Sequence, residues 1–342
     1  MKSLLIIPVV LCIAALSGNV TANAQEKNSN KVFHGKAAAY YENQATRMYQ
    51  LADEALDRFV PEIGAPIERR LALGNLDMLL HDTSLDYCDA MRNFISTRLT
   101  KLIAELDNKA PKKGEILKVY NDAFIARTPK ATIAFDLSRC FCLEQHVIPD
   151  SIIDAIVAHC DILFISHNHR DHADAYVAEQ FLKAGKKVIA PTNWQPDDQR
   201  ISHLRPEGKH SQTIALPEGR SIDVITYPGN QSDLMNNIYI VTTQDGKTFA
   251  HVGDQYNRED LKWIANIRNE IPRPDVLTVN CWTYNLDDLC AGINAHLVVT
   301  GHEDEMSHTV DHREAFWLTF EKFANLAYPY LVMGWGEWYR LK

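Results

Sequence analysis

The spacing of apolar residues divides the chain into a helical first part and a mixed second part. Between residues 36 and 110, apolar side chains such as Tyr41, Ala45 and Met48 recur at three- and four-residue steps. This period is that of an amphipathic helix. Prolines after residue 60 interrupt the pattern, because proline breaks a helix interior. The pattern therefore predicts helices over residues 40–59, 71–80 and 85–106.

After Gly114, short runs of β-branched and aromatic residues alternate with helical patterns. Strands are predicted over residues 116–120, 123–126, Thr132–Phe135, 162–166, Lys187–Ala190, 222–226, 238–243, 248–252, 276–279, 297–300 and 330–333. Helices are predicted over Asp150–His159, 174–185 and 311–324. Such alternation indicates an α/β fold in which helices cover a sheet core.

The first 24 residues have the pattern of a secretory signal peptide. Lys2 precedes an apolar run over residues 4–16, which is shorter than the about 20 residues of a membrane-spanning helix. Ala22-Asn23-Ala24 then has the small-x-small form that signal peptidases cleave. We expect an exported protein, periplasmic or secreted, with no transmembrane span in the mature chain. An uncleaved N-terminal anchor is the alternative.

The amino-acid composition limits the classes of partner that the protein is expected to bind. The chain has 44 acidic and 35 basic residues, for a formal net charge of −9. Nucleic-acid binding depends on clustered Lys and Arg, so no nucleic acid is expected as a partner. The hydrophobic share of 46% is that of an ordinary globular protein. Six cysteines follow the signal peptide, and in an oxidising compartment they suggest at most one or two disulfide bridges.

The densest cluster of metal-ligating side chains is the sequence SHNHRDH at residues 166–172. It follows a predicted buried strand and opens a predicted helix, so the chain turns within it. His167 and His169 can then face one side. Asp171 and His172 can face another side, which suits two adjacent metal ions. Imidazole and carboxylate ligands together suit zinc, and also manganese or iron.

This cluster resembles the His-x-His-x-Asp-His signature of the metallo-β-lactamase-fold superfamily, and further landmarks follow in order. Asp136 resembles the aspartate that supports the metal histidines. Gly253-Asp254 resembles the Gly-Asp whose carboxylate bridges two metals, and Gly301-His302 resembles the last metal histidine. The resemblance covers about residues 114–342. It implies an αββα sandwich with the site at one edge.

The resemblance also implies the domain organisation and the substrate class. Residues 113–342 would form the metallo-β-lactamase-fold domain, and residues 25–112 a helical extension that packs on it. That extension is also a candidate homo-oligomer contact. Within the superfamily, the stretch at 167–169 looks most like the branch of ascorbate-phosphate lactonases and N-acylphosphatidylethanolamine-hydrolysing phospholipase D. Its substrates are phosphate esters, lactones and lipids, so a small-molecule or lipid-like substrate is expected.

One position departs from the family pattern. Gln231 stands where the third histidine of the first metal site is expected. Three interpretations remain open. In the first, Gln231 ligates the metal as a weaker, neutral oxygen donor. In the second, the first site holds its metal ion loosely and the enzyme is mononuclear, with its ion at the second site. In the third, His203 or His210 replaces the missing histidine ligand.

The roles that follow are those of a metallohydrolase. Asp171, His172, Asp254 and His302 would hold one metal. His167, His169 and Gln231 would hold the other and share Asp254 with it.

A metal-bound hydroxide would then attack a carbonyl or phosphoryl centre. Asp171 would orient it, and His308, six residues past His302, would contact substrate or transfer a proton. The alternatives are a non-catalytic or sensor-type metal-binding protein and an iron-dependent oxidoreductase on the same fold.

Overall fold

The structure of the protein is a computed structural model that describes residues 37–85, 88–142 and 145–342. The predicted signal peptide, residues 1–24, lies outside these residues. None of the helices in the described ranges combines the length and the apolar character of a membrane span. Cys88, Cys160, Cys281 and Cys290 are free thiols.

Three helices open the described chain: α1 (Ala37–Arg58), α2 (Ile67–Leu80) and α3 (Asp89–Asp107). The apolar periodicity correctly predicted all three. Helix α2 begins at Ile67, directly after Pro66, rather than at residue 71. Proline is tolerated at a helix start because the first backbone N–H groups have no intrahelical partner.

The remaining described residues form a mixed α/β structure. The strands are β1 (Glu115–Tyr120), β2 (Ala123–Arg127), β3 (Thr132–Phe135), β4 (Phe141–Cys142), β5 (Gln145–His146), β6 (Ile162–Phe164), β7 (Lys187–Ala190), β8 (Ser202–His203), β9 (His210–Ala215), β10 (Ser221–Gln231), β11 (Leu234–Thr243), β12 (Thr248–His251), β13 (Val276–Asn280), β14 (Leu297–Gly301), β15 (Tyr330–Leu331) and β16 (Glu337–Arg340). The helices are α4 (Asp150–His159), α5 (Ala175–Lys183), α6 (Arg258–Ile264), α7 (Leu286–Ile293) and α8 (Phe316–Phe323).

Two seven-stranded sheets face each other. The first has the order β16-β1-β2-β3-β6-β7-β8, and the second has the order β15-β14-β13-β12-β11-β10-β9. Strands β3, β6 and β7 run parallel to one another, as do β12, β13 and β14. Strands β4 and β5 form a separate two-stranded ribbon. The predicted αββα sandwich is confirmed.

Three apolar clusters hold these layers together. The central cluster lies between the sheets and includes Phe135, Phe164 and Tyr239. A second cluster joins the inner face of α6 and α7 to the second sheet. The third joins α1–α5 to the outer face of the first sheet, where Leu99 and Trp335 are buried together. The N-terminal helices therefore share a core with the sandwich.

Several elements differ from the sequence prediction. Helices α6 and α7 and the edge strands β9 and β16 were not predicted. The helix predicted over 311–324 is wrong in its first part: a short 3-10 turn covers Val310–His312, and α8 begins only at Phe316. The backbone N–H groups of Phe316 and Trp317 donate to the carboxylate of Asp77 on α2. A side chain distant in sequence thus stabilises the start of α8.

Candidate metal centre

Each predicted ligand lies where a strand ends at one edge of the sandwich. Asp136 follows β3 directly, and His167 lies three residues beyond the end of β6. In the second sheet, Asp254 lies just beyond β12, and His302 follows β14. Because the carboxyl ends of parallel strands share one edge of a sheet, the fold brings these residues together. The turn between β1 and β2 adds Asn121.

The backbone at this edge is strained. Asn121, Asp136 and His302 have φ angles of 51°, 48° and 73°, in the left-handed region that side chains with a Cβ rarely adopt. Such outliers cluster at functional sites, where the surrounding structure enforces them. Gly253 also has a positive φ, and a Cβ there would lie 2.4 Å from Oγ of Ser166. Glycine therefore allows Asp254 to approach the turn that carries His167.

Four ligand atoms of the second site surround a common point. His172 Nε2 lies 2.9 Å from Asp171 Oδ2 and 3.4 Å from Asp254 Oδ1. His302 Nε2 lies 3.3 Å and 3.5 Å from the same two oxygens, and 3.4 Å from His172 Nε2.

Four ligands about 2.1 Å from a tetrahedral metal ion are about 3.4 Å apart. The residues therefore fit a metal ion at the second site.

The first-site residues form a second, adjoining group. Nitrogen and oxygen atoms of His167, His169 and Asp254 lie within 4.8 Å of one another. His167 Nε2 is 3.4 Å from Asp254 Oδ2. It is buried without a hydrogen-bond partner, whereas buried polar atoms are almost always partnered. An ion in this group would partner it.

Gln231 lines the cavity beside this group. Its amide nitrogen donates to Asp254 Oδ2 at 2.8 Å. The alternatives from the segment at 200–210 receive no support. His203 bonds to the carbonyl oxygen of Trp194, and His210 is exposed on β9. Neither belongs to a ligand group or to the cavity wall within the part of the chain that the structure describes.

Asp136 holds the rings of His172 and His251 in place by hydrogen bonds. Its Oδ2 lies 2.7 Å from His172 Nδ1 and 2.8 Å from His251 Nε2. Its two oxygens also accept the backbone N–H and the hydroxyl of Ser166. These bonds fix the ring of His172 with Nε2 toward the metal position. His251 is fully buried and also bonds to Thr278, so both of its ring nitrogens have partners.

The carboxylates make this site strongly negative. Burial alone would raise the pKa of Asp254, but the neighbouring His172 and His302 hold it well below its usual value. Burial alone would lower the pKa of His172, but Asp171, Asp254 and Asp136 raise it well above the usual value. Opposite charges thus stabilise each other's ionised forms. A site with this field favours a cation, whether a proton or a metal ion.

The metal positions open into a cavity of about 390 Å³. His169, Asp171, Asp254 and His302 form its floor. Its wall contains Gln231, Ser232, Gln255, Tyr256, Asn280, Trp282, Thr283, Glu305 and His308. Strand ends and the loops after them carry this wall, as is common for ligand sites on α/β folds.

His308, which the sequence analysis placed near the substrate, lines the cavity and contacts the carboxylate of Glu305. Its Nε2 lies 3.2 Å from Glu305 Oε2, and the same oxygen lies 3.3 Å from His302 Nδ1. The rings of His308 and Trp282 are 5.6 Å apart. Burial and the charge of Asp171 raise the pKa of Glu305 to about 8. Glu305 therefore links His302 to a side chain of the cavity wall.

Sequence reasoning missed three polar residues of the site. Asn121 donates to Asp171 Oδ2 at 2.9 Å, and Asn280 donates to Asp254 Oδ1 at 2.6 Å. Asp122 is fully buried, and burial raises its pKa to about 6. All three lie at the ends of strands that the sequence did predict. Their position at these strand ends could have identified them as site residues.

Comparisons with known proteins give structural similarities at low sequence identity. No protein-family model matches the sequence, and no curated protein matches it. A metallo hydrolase from the archaeon Ignicoccus hospitalis is similar over 67% of this chain and 99% of its own, with 18% identity and a TM-score of 0.46.

An isothiocyanate hydrolase from Delia radicum gut bacteria matches 66% of this chain and 98% of its own, with 11% identity and a TM-score of 0.47. The diiron β-hydroxylase CmlA from Streptomyces venezuelae matches 68% of this chain, with 14% identity and a TM-score of 0.47. The match covers 55% of that hydroxylase. The solved structures similar to this chain thus include a metallo hydrolase, an isothiocyanate hydrolase and a diiron β-hydroxylase.

Proposed function

We propose that this chain is an exported metal-dependent hydrolase of the metallo-β-lactamase-fold superfamily. It would act on an ester, lactone or phosphoester and use zinc, with manganese or iron as alternatives. One observation carries the proposal: four ligand atoms lie at tetrahedral spacing, and three of the residues that supply them, Asp171, Asp254 and His302, line an open cavity. Catalytic zinc sites have this combination of protein ligands and open access.

A bound divalent ion would lower the pKa of a coordinated water toward neutrality and stabilise negative charge on a carbonyl or phosphoryl oxygen. The chain's own side chains position the components. Asp254 faces both ligand groups through its two oxygens, so it holds them at a fixed separation. Asp171 lies on the cavity floor, where its carboxylate would accept a hydrogen bond from the attacking water and orient it.

His308 is the candidate proton donor to the departing group. Hydrolysis leaves an oxygen anion that needs a proton, and a side chain in the cavity wall can supply it. Glu305 holds Nε2 of His308 at 3.2 Å, so the ring has a defined orientation. Glu305 acts as a positioning residue, because its oxygen contacts both His308 and His302.

The cavity wall favours a small polar substrate. Its neutral side chains are mainly amides and hydroxyls, with Tyr256 and Trp282 as flat apolar surfaces. Among the described residues that line the cavity, none is Lys or Arg and none is Leu, Ile or Val. Phosphate recognition usually uses Arg or Lys, and lipid chains need aliphatic contacts. This composition supports a lactone or small carboxylic ester over a phospholipid.

A substrate panel with the zinc-loaded protein tests the proposal. Lactones, phosphodiesters, thioesters and β-lactams would be assayed for turnover. We expect hydrolysis of a lactone or small ester. We also expect that Asp171→Asn abolishes it and that His308→Ala lowers kcat.

His312→Ala is the matched control, because His312 lies four residues further on and is 70% exposed. Stoichiometric metal without turnover of any panel member would favour the non-catalytic alternative. Turnover that requires iron and a reductant would favour the oxidoreductase.

Export and self-association belong to the same proposal. Cleavage after Ala24 would leave Gln25 as the mature N-terminus, and N-terminal sequencing of the exported protein tests this. The helical extension would mediate a homo-oligomer, since Ile67 and Leu71, one turn apart on α2, are 62% and 60% exposed. Light scattering of wild type and of Leu71→Lys would show whether that face holds two copies together.

A further inference from the structure

Three side-chain amides donate to the two ligand aspartates. Asn121 donates to Asp171 Oδ2, and Asn280 donates to Asp254 Oδ1. Gln231 donates to Asp254 Oδ2 at 2.8 Å. The last residue stands where the sequence pattern led us to expect a third histidine ligand.

The orientation of the Gln231 amide follows from its partner. A carboxyl group that ligates a metal ion is deprotonated, and Asp254 already accepts a hydrogen bond from the amide of Asn280 at Oδ1. An ionised carboxylate only accepts hydrogen bonds. The amide atom at 2.8 Å from Asp254 Oδ2 must therefore be the NH₂ group, since two oxygens at that distance would repel each other.

This contact uses the oxygen that faces the first site. Asp254 Oδ2 is also the atom 3.4 Å from His167 Nε2, whereas Oδ1 faces His172 and His302. With its NH₂ group turned toward Oδ2, Gln231 supplies no oxygen ligand to the first site. The first site keeps two histidines and this oxygen of Asp254. The second site has two histidines and two carboxylates.

We infer that Gln231 acts in this chain as a hydrogen-bond donor that positions Asp254, and not as a metal ligand. The protein therefore binds one ion tightly, at Asp171, His172, Asp254 and His302. A second ion binds at His167 and His169 far more weakly. This inference rests on the metal centre of the proposed function, but it requires no substrate.

Zinc titration of the chelator-stripped full chain tests the inference. Competition with a chromophoric chelator gives both binding constants, and elemental analysis after dialysis gives the stoichiometry. We expect one retained zinc per chain and a second dissociation constant at least 100-fold larger. Two zinc ions retained with similar constants would overturn the inference and leave the proposed hydrolase intact. No zinc binding at all would overturn both.

Gln231→Ala distinguishes a donor from a ligand because the two roles predict effects on different constants. Loss of an outer hydrogen-bond partner weakens metal binding by about tenfold or more. We therefore expect the tight constant to weaken about tenfold, while the weak event persists. If Gln231 were a ligand, the tight constant would be unchanged and the weak event would disappear, which would refute the inference.

Three further variants complete the comparison. Asn280→Ala removes the corresponding donor on Asp254 Oδ1, so it should weaken the tight event in the same way. Ser232→Ala changes the adjacent cavity residue and should alter neither constant. Gln231→His adds the missing imidazole and should convert the weak event into a second tight one.

Discussion

Replacing Asp136 with asparagine should weaken the metal centre without touching a ligand. The carboxylate receives four hydrogen bonds: one on Oδ1, from the N–H of Ser166, and three on Oδ2, from Ser166 Oγ, His172 Nδ1 and His251 Nε2. Asparagine has almost the same volume but one accepting oxygen. Its NH₂ group must face a donor whichever way the amide turns.

The contacts set the size of the effect. The least costly orientation keeps the oxygen at the Oδ2 position and loses the bond from the Ser166 N–H. A buried hydrogen bond to a charged group contributes about 1.5–3 kcal/mol. The negative charge that stabilises the His172 and His251 rings is lost in either orientation. Removing such a partner behind a metal histidine typically lowers metal affinity 10- to 100-fold, or about 1.4–2.7 kcal/mol.

Chelator competition at fixed pH measures this affinity in wild type and Asp136→Asn. Asp161→Asn is the matched control, because Asp161 also accepts a strand N–H, that of Thr132, and pairs with Arg220 away from the site. It should lower stability but leave metal affinity unchanged. Equal metal affinity in Asp136→Asn and wild type would refute the role we give to Asp136.

Three other outcomes follow from the structure. Removing bound zinc with a chelator should lower Tm, because an ion that binds only the folded chain adds about 2.7 kcal/mol when present at 100 times its Kd. Glu337→Ala should destabilise the fold by about 3–5 kcal/mol in denaturant titrations, because it leaves the 1%-exposed Arg69 without its carboxylate. Burial raises the pKa of Glu115 from 4.5 to about 7. Between these two pH values the folded chain keeps the proton on Glu115, whereas the unfolded chain has lost it. The free energy of unfolding should therefore fall, by up to about 3 kcal/mol, as pH rises from 4.5 to 7. Glu115→Gln should remove that dependence, and an unchanged slope would contradict the assignment.

Local sequence patterns predicted the elements that carry the site. The strand Thr132–Phe135, the helix Asp150–His159 and the strand Lys187–Ala190 have the bounds that were predicted. Buried parallel strands are short and uniformly apolar, and the helices on them have a clear 3.6-residue period. Asp254 and His302 were placed at the edge of the sheet because the strands before them were recognisable.

Long-range contacts explain the elements that were not predicted. Strand β16 exists because it pairs with β1, from Glu115 opposite Arg340 to Lys118 opposite Glu337, and no local pattern shows that partner. The start of α8 depends on Asp77, which lies 239 residues before Phe316. The position of Gln231 was expected from the motif, but its hydrogen bond to Asp254 depends on how two strand ends meet.

The packing of the N-terminal helices on the C-terminal segment constrains how the chain can be synthesised and dissected. Arg69 on α2 forms a buried ion pair with Glu337, 268 residues later, and also donates to the carbonyl oxygen of Val332. The helices leave the ribosome before residues 332–337, so their burial is complete only after that segment has emerged. Contacts this far apart in sequence slow folding, and a nascent chain exposes the apolar face of α2 throughout translation. A fragment that lacks either Arg69 or Glu337 would retain a buried charge without its partner.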